Sequence, residues 1–117
     1  MKENVIKKKS LEFAIRILYL YKYLSETKKE YVVSKQLMKS GTSVGAQVRE
    51  AEHAESKKDF IHKLSIAQKE ANETLYWLEL LKETGYISDL QFSSIFQEAK
   101  EVISIITSII RTMKSKE

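Results

Sequence analysis

The chain has 117 residues and carries 20 Lys and Arg against 16 Asp and Glu, a formal net charge of +4. It contains no Cys, which excludes a disulfide framework, thiolate catalysis and any cysteine-ligated metal centre. It contains no Pro and only three Gly, and this scarcity of turn-forming residues favours long helices over a sheet. The length predicts a single domain over residues 1–117.

The positive charge is unevenly distributed along the chain. Residues 1–9 hold four Lys and one Glu, and we interpret them as a basic N-terminal tail. Residues 28–40 also hold four Lys and one Glu. The sequence shows neither a cleavable leader nor the run of about 20 apolar residues that a membrane span needs. It therefore predicts a cytoplasmic protein that makes no membrane contact.

Four segments with the apolar periodicity of helices follow one another along the chain. The first covers about 10–27, and the second begins at Ser34, a favourable N-cap. The third follows the capping pattern at Ser56 and ends at Gly85, and the fourth begins with a similar pattern at Ser88. Short polar connections between them predict an all-α, up-down-up-down antiparallel four-helix bundle.

The second and fourth helices each present one apolar stripe, as a bundle core requires. The stripe of the fourth helix runs from Phe92 to Met113. The stripe of the second helix is built from small residues: Leu37, Gly41, Val44, Val48 and Ala51. Gly41 and Gly45, four residues apart, predict that a neighbouring side chain or backbone comes close to this helix.

The first and third helices carry more apolar surface than one core can cover. The apolar residues of the first helix spread over roughly 220° of a helical wheel. On the third helix, Trp77 lies nearly opposite the predicted core stripe of Phe60, Leu64, Ala67, Ala71, Leu75 and Leu78. Such a patch is typical of a contact surface. We therefore predict a homo-oligomer whose interface contains Ile66, Tyr76, Trp77 and Leu80.

A row of basic residues on the outer face of the second helix is the best functional candidate. Lys35, Lys39 and Arg49 share this face, and further lysines follow at the start of the third helix. Clustered Lys and Arg attract phosphates without regard to base sequence. The row predicts binding of RNA or DNA through Lys35, Lys39, Arg49, Lys57, Lys58 and Lys63. The alternative interpretation is an ordinary solvated face, because Glu50, Glu52 and Glu55 lie between the cations.

No constellation in the sequence predicts catalysis or a cofactor. Glu50 to His53 and Asp59 to His62 both have the carboxylate-x-x-His spacing of di-iron bundles, but both histidines lie opposite the core stripes. We predict no metal site and solvated histidines. A nucleophile with a base and an orienting partner is also not visible, so we predict that the protein is not an enzyme.

The two central helices resemble those of the 23S rRNA intervening-sequence proteins, a family with a ribosomal-protein-like label. The similarity is carried by residues 36–51, 59–67 and 69–81, and by the exit Gly85-Tyr86-Ile87. The resemblance implies a bacterial four-helix bundle that assembles as a homopentamer with a central channel. It also implies a link to the accessory protein of diversity-generating retroelements, which partners a reverse transcriptase and binds nucleic acid.

The resemblance implies no catalytic residue. The predicted function is therefore a non-enzymatic oligomeric bundle that binds nucleic acid, or a protein that handles nucleic acid, through basic residues on the second and third helices. The alternative is a structural adaptor that binds only protein.

Overall fold

The computed structural model describes residues 2–116, with side chains described from Val5 onward. These residues form four helices and no strand. The helices are α1 (Lys2–Lys22), which continues into a π-helical turn (Tyr23–Thr27), α2 (Val33–Ala51), α3 (Lys57–Glu83) and α4 (Asp89–Ser115). The predicted all-α, four-helix fold class is confirmed.

The first helix begins at Lys2, whereas the sequence predicts a basic tail and a helix from about residue 10. Ile6 is buried and extends the core stripe of this helix by two turns. The lysines of the same segment lie on the outer sides of the helix, where Lys7 pairs with Glu52 and Lys9 with Glu101. The sequence pattern did not indicate these helical turns, because Ile6 is their only apolar core residue and lies beside a run of lysines.

The capping residues fix where α3 and α4 begin and where α3 ends. The Ser56 hydroxyl accepts the Asp59 N–H at 3.0 Å, and Ser88 and Gln91 form a complete reciprocal capping box. At the end of α3, Gly85 has φ +83 and the N–H of Tyr86 donates to the carbonyl of Leu81. This is the left-handed C-terminal motif that the sequence predicts at Gly85.

The start of α2 differs from its prediction. The helix begins at Val33, and Ser34 lies in its first turn, where its hydroxyl donates to the Glu30 carbonyl. The Glu30 carboxylate performs the capping by accepting the N–H groups of Val32, Val33 and Ser34 at 2.6 to 3.1 Å. Partial burial raises the pKa of Glu30, but these backbone donors outweigh it, and the net pKa lies below its ordinary value.

Each helix packs against two others, α1 and α3 against both α2 and α4. The predicted stripes of α2 and α4 form the core, with Leu37, Val44, Val102 and Ile106 almost fully buried. The stripe of α3 is also buried at Leu64, Ala67, Ala71 and Leu78, and it gains Ile61, Thr74 and Leu81, which the sequence pattern did not single out.

The two glycines of α2 lie against α1, as predicted. A Cβ at Gly41 would lie 2.8 Å from two side-chain carbons of Ile17, and one at Gly45 would lie 3.4 Å from the carbonyl oxygen of Ser10. The absence of a side chain at Gly41 is what allows Ile17 to fill the space between the two helices.

Candidate nucleic-acid interface

The six cations of the predicted binding row do not form one cluster. Lys35 and Lys39 lie in the first two turns of α2, whereas Arg49 lies in its last turn. At 1.5 Å per residue, Lys35 and Arg49 are about 21 Å apart along the helix axis. Lys57, Lys58 and Lys63 lie in the first two turns of α3. The row is therefore split between the two halves of a molecule 47 Å long.

A cavity shows which helix ends meet beside Arg49 and Lys57. It has a volume of about 440 Å³, and each helix contributes to its lining: Ile6 from α1, Val48 from α2, Phe60 from α3 and Ile109 from α4. The start of α1, the end of α2, the start of α3 and the end of α4 therefore all contribute residues to this cavity. We call the part around it the basic end and define it by residues 5–9, 49–63 and 109–116.

The charge of the basic end comes mainly from α1 and α4. Residues 5–9 contain three Lys, and residues 109–116 contain two Lys and one Arg, with no acidic residue in either range. Residues 49–63 contain four basic and four acidic residues and are balanced. The basic end thus carries a formal charge of +6, while residues 10–48 and 64–108 together carry −1; residues 1–4 are neutral, and Glu117 accounts for the remaining −1 of the net +4.

Most of these cations are available to a ligand. Lys7 and Lys9 are engaged with Glu52 at 3.4 Å and Glu101 at 3.5 Å, both in exposed pairs that contribute little to stability. The remaining cations of the basic end form no ion pair with a described residue. Six of them are exposed: Lys8, Arg49, Lys58, Arg111, Lys114 and Lys116.

Sequence reasoning missed the part played by α4. Arg111, Lys114 and Lys116 were not singled out, because each looks like an ordinary cation in a final helical turn. The signal that could have found them is the predicted up-down topology, because an even number of alternating helices would bring the two termini to the same end. The sequence predicts the lysines of residues 5–9 only as part of a basic N-terminal tail.

The two histidines also lie at the basic end and are exposed. His62 borders a shallow depression of about 330 Å³ with Ser56, Lys58 and Asp59. Among the residues that the structure describes, no group of three or more His, Asp or Glu side chains could hold a metal ion.

The predicted interface on α3 is less exposed than its wheel position suggests. Tyr76 is 58% exposed, whereas Ile66, Trp77 and Leu80 are already half-buried in the single chain. Trp77 packs against the margin of the core. The Trp77 indole donates to the Glu73 carboxylate at 3.1 Å and lies edge-on to Tyr76. The prediction that Trp77 faces away from the core is therefore wrong in part, because a wide indole at the edge of the stripe reaches back over it.

The larger unpartnered apolar surface lies on α1. Leu11, Ile15 and Leu18 occur at helical spacing and are 49%, 46% and 44% exposed. We call these three residues the α1 strip. Ile15 and Leu18 border a groove of about 230 Å³ with Tyr19 and Lys22. The surplus apolar arc predicted for the first helix is thus present on the surface of the single chain.

Fold and site together define a class of small helical-bundle proteins with one cationic end and one apolar helix face. The chain belongs to the 23S rRNA-intervening sequence protein family, whose sequence model matches residues 2–108. The predicted family resemblance is therefore confirmed.

A solved structure similar to this chain is the crystal structure of a protein with unknown function from the S23 ribosomal protein family of Bacteroides thetaiotaomicron VPI-5482. The two chains are 58% identical and superpose with a TM-score of 0.94, over 95% of this chain and 99% of that chain. A comparison with curated proteins gives no match. None of the helices within the described residues has the length and apolarity needed to cross a membrane.

Proposed function

We propose that this protein is a non-enzymatic, cytoplasmic bundle that binds nucleic acid through its basic end. The observation that supports the proposal most is the charge of +6 on the basic end of a molecule whose residues 10–48 and 64–108 together carry −1. The proposal assumes the up-down course of the helices, which is supported by the cavity that all four helix ends share. It keeps Arg49, Lys57, Lys58 and Lys63 from the predicted row and sets Lys35 and Lys39 aside.

Phosphate attraction follows directly from such a charge distribution. A cation that contacts a phosphate releases condensed counterions, and binding then weakens as salt is added. Exposed Lys and Arg at helix ends can adjust to the spacing of phosphates, because their side chains are long and flexible. The acidic residues of 49–63 reduce the positive electrostatic potential near α2 and α3. We therefore expect the cations of α1 and α4 to supply most of the affinity for nucleic acid.

Charge reversal at the basic end tests the proposal. We expect Lys8→Glu/Lys58→Glu/Lys114→Glu to weaken binding of a DNA or RNA duplex by more than about tenfold at low salt, because three phosphate contacts are lost. Binding is measured by fluorescence anisotropy at a fixed salt concentration. Failure of the unmutated protein to bind any nucleic acid at about 50 mM salt would refute the proposal.

The matched control reverses three exposed lysines outside the basic end: Lys35, Lys39 and Lys69. This variant has the same net charge as the first, and none of the three lysines forms a salt bridge with a described residue, although burial raises the pKa of the neighbouring Glu70 and Lys69 partly offsets this rise. We expect its affinity to stay within about threefold of the unmutated protein. An equal loss in both variants would mean that only net charge matters and that the basic end is not a site.

We also propose that the protein self-associates, as a homopentamer if the family resemblance extends to assembly. The α1 strip supports this proposal, since exposed aliphatic residues at helical spacing are typical of a helix-packing surface. We expect Ile15→Asp to reduce the native mass to that of the 13.6 kDa chain. Trp77→Asp tests the interface predicted on α3 in the same way, and a native mass of 13.6 kDa for the unmutated protein would contradict both.

A protein-binding adaptor is the second candidate function. It is favoured by two exposed apolar residues outside the basic end, Val32 and Leu90, which are 73% and 83% exposed. A partner held by such contacts would bind with little dependence on salt, in contrast to a nucleic acid. This candidate would be favoured if a partner protein co-purifies and stays bound at high salt, and if no nucleic acid binds.

A further inference from the structure

The aromatic residues of the chain are almost excluded from the basic end. Of eleven Phe, Tyr and Trp residues in the sequence, only Phe60 lies there. Phe60 is half-buried and lines the cavity between the helix ends, where it packs against the core. The exposed tyrosines Tyr19, Tyr31 and Tyr76 all lie outside the basic end.

This distribution decides how a nucleic acid can be held. Proteins that bind single strands stack the unpaired bases on exposed aromatic rings, which contributes about 1 to 3 kcal/mol per base. The basic end offers no exposed Phe, Tyr or Trp for this purpose. Stacking on bases is therefore limited there to the guanidinium groups of Arg49 and Arg111 and the imidazoles of His53 and His62, while the lysines can contact phosphates only as flexible point charges.

The dimensions of the bundle favour the same conclusion. The two short axes of the molecule measure 22 and 19 Å, so a nucleic acid that crosses one end meets it over about 20 Å. A duplex presents one phosphate per roughly 1.7 Å of its axis, or about twelve over this length. One strand at about 3.4 Å per phosphate presents half as many. An end that gains affinity only from phosphates gains most from the ligand with the highest density of phosphates.

We propose that the basic end binds double-helical nucleic acid through its phosphate backbone and does not read the bases. The inference rests on the proposed function and specifies its ligand. Arg49, Lys58 and Lys114 contact phosphates of both strands, and the exposed cations around them adjust to the groove. Binding is accordingly independent of base sequence and strongly dependent on salt.

The test compares ligands of equal length with the full-length protein. A duplex of about 20 base pairs, a second duplex of scrambled sequence and an oligo(dT) strand of about 20 nucleotides are titrated by fluorescence anisotropy between about 50 and 200 mM salt. We expect both duplexes to bind within about twofold of each other and at least about tenfold more tightly than oligo(dT). If three phosphates are contacted, duplex affinity falls about 40-fold over this range of salt.

Failure of this inference is distinguishable from failure of the proposed function. If oligo(dT) binds as tightly as the duplexes, the inference is overturned and the proposed function stands. If neither ligand binds at the lowest salt concentration, the proposed function itself falls. The variant His53→Ala/His62→Ala separates stacking from phosphate contact. We expect it to bind the duplexes within about twofold of the unmutated protein, and a loss of tenfold or more would overturn the inference.

Discussion

The contact between α1 and α2 provides a sharp test of how closely these helices approach. Replacing Gly41 with Ala would place a Cβ at 2.8 Å from Cγ1 and Cγ2 of Ile17 and at 3.2 Å from its Cβ. Ile17 is fully buried, and these atoms are the stem of its side chain, so a rotamer change cannot clear them. Overpacking of this kind costs about 1 to 3 kcal/mol. Alanine recovers about 1 kcal/mol of helix propensity, and the net loss is therefore up to about 2 kcal/mol.

Gly45 is the matched control, because it lies one helical turn away on the same face. A Cβ there would lie 3.4 Å from the Ser10 carbonyl oxygen, which is an ordinary contact distance. Gly45→Ala therefore gains helix propensity without a clash, and we expect it to stabilise the protein by up to about 1 kcal/mol. The same substitution thus has opposite signs at two positions four residues apart.

Thermal unfolding followed by circular dichroism at a fixed protein concentration measures both effects. For a chain of this size, 1 kcal/mol corresponds to a shift in Tm of about 4 °C. We expect Gly41→Ala to lower Tm by up to about 8 °C and Gly45→Ala to raise it by up to about 4 °C. In an Ile17→Ala background the two Cγ atoms are absent, and Gly41→Ala should no longer destabilise. Equal signs for the two glycines, or an unchanged penalty in that background, would refute the reasoning.

Three further substitutions test the helix ends by chemical unfolding. Lys29 has φ +58, so Lys29→Gly should raise the free energy of unfolding by about 0.5 to 1 kcal/mol, and a loss of stability would contradict this assignment. Gly85→Ala should lower it by about 1 kcal/mol, because Gly85 has φ +83, and a neutral result would contradict the C-terminal motif. Glu30→Gln should cost about 1 kcal/mol at pH 7. In the folded state the pKa of Glu30 lies below its ordinary 4.5. The stability difference between the two proteins should therefore vanish as pH falls below 4.5 and through the folded pKa. A difference that does not depend on pH would show that the carboxylate charge is not involved.

The parts of the fold that could be predicted are those in which one side of a helix is apolar and the other is polar. The stripes of α2 and α4 satisfy this condition, and both contribute to the core as predicted, although Phe92, Ile103 and Met113 of α4 are only partly buried. Thr74 shows the limit of the method. It is fully buried because its hydroxyl bonds to Ser40 at 2.8 Å and to the Glu70 carbonyl, and a hydrophobic pattern cannot register a polar residue whose partner lies on another helix.

The start of α2 could not be predicted for a related reason. A serine before an apolar segment is typical of an N-cap, and Ser34 fits that description. Glu30 performs the capping instead, because the chain turns at Lys29 and brings the carboxylate of the following residue over three backbone N–H groups. The N-cap preference of serine predicts where the helix starts to within about one residue, but the geometry of the turn at Lys29 determines that Glu30 caps it.

The candidate site shows the same division between local pattern and topology. Within residues 49–63 the acidic residues cancel the basic ones, so a reading confined to α2 and α3 finds a face of no net charge. The excess lies in two short segments separated by almost the entire chain, and each is unremarkable alone. In the proposed function they act together, because α1 begins and α4 ends beside the same cavity. A circular permutation that joins the two termini through a neutral linker and opens the chain between α3 and α4, outside the basic end, would keep every cation in place. Nucleic-acid binding that survives this change but is lost on charge reversal of Lys8 and Lys114 would show that position at the basic end, and not the freedom of a charged terminus, is what matters.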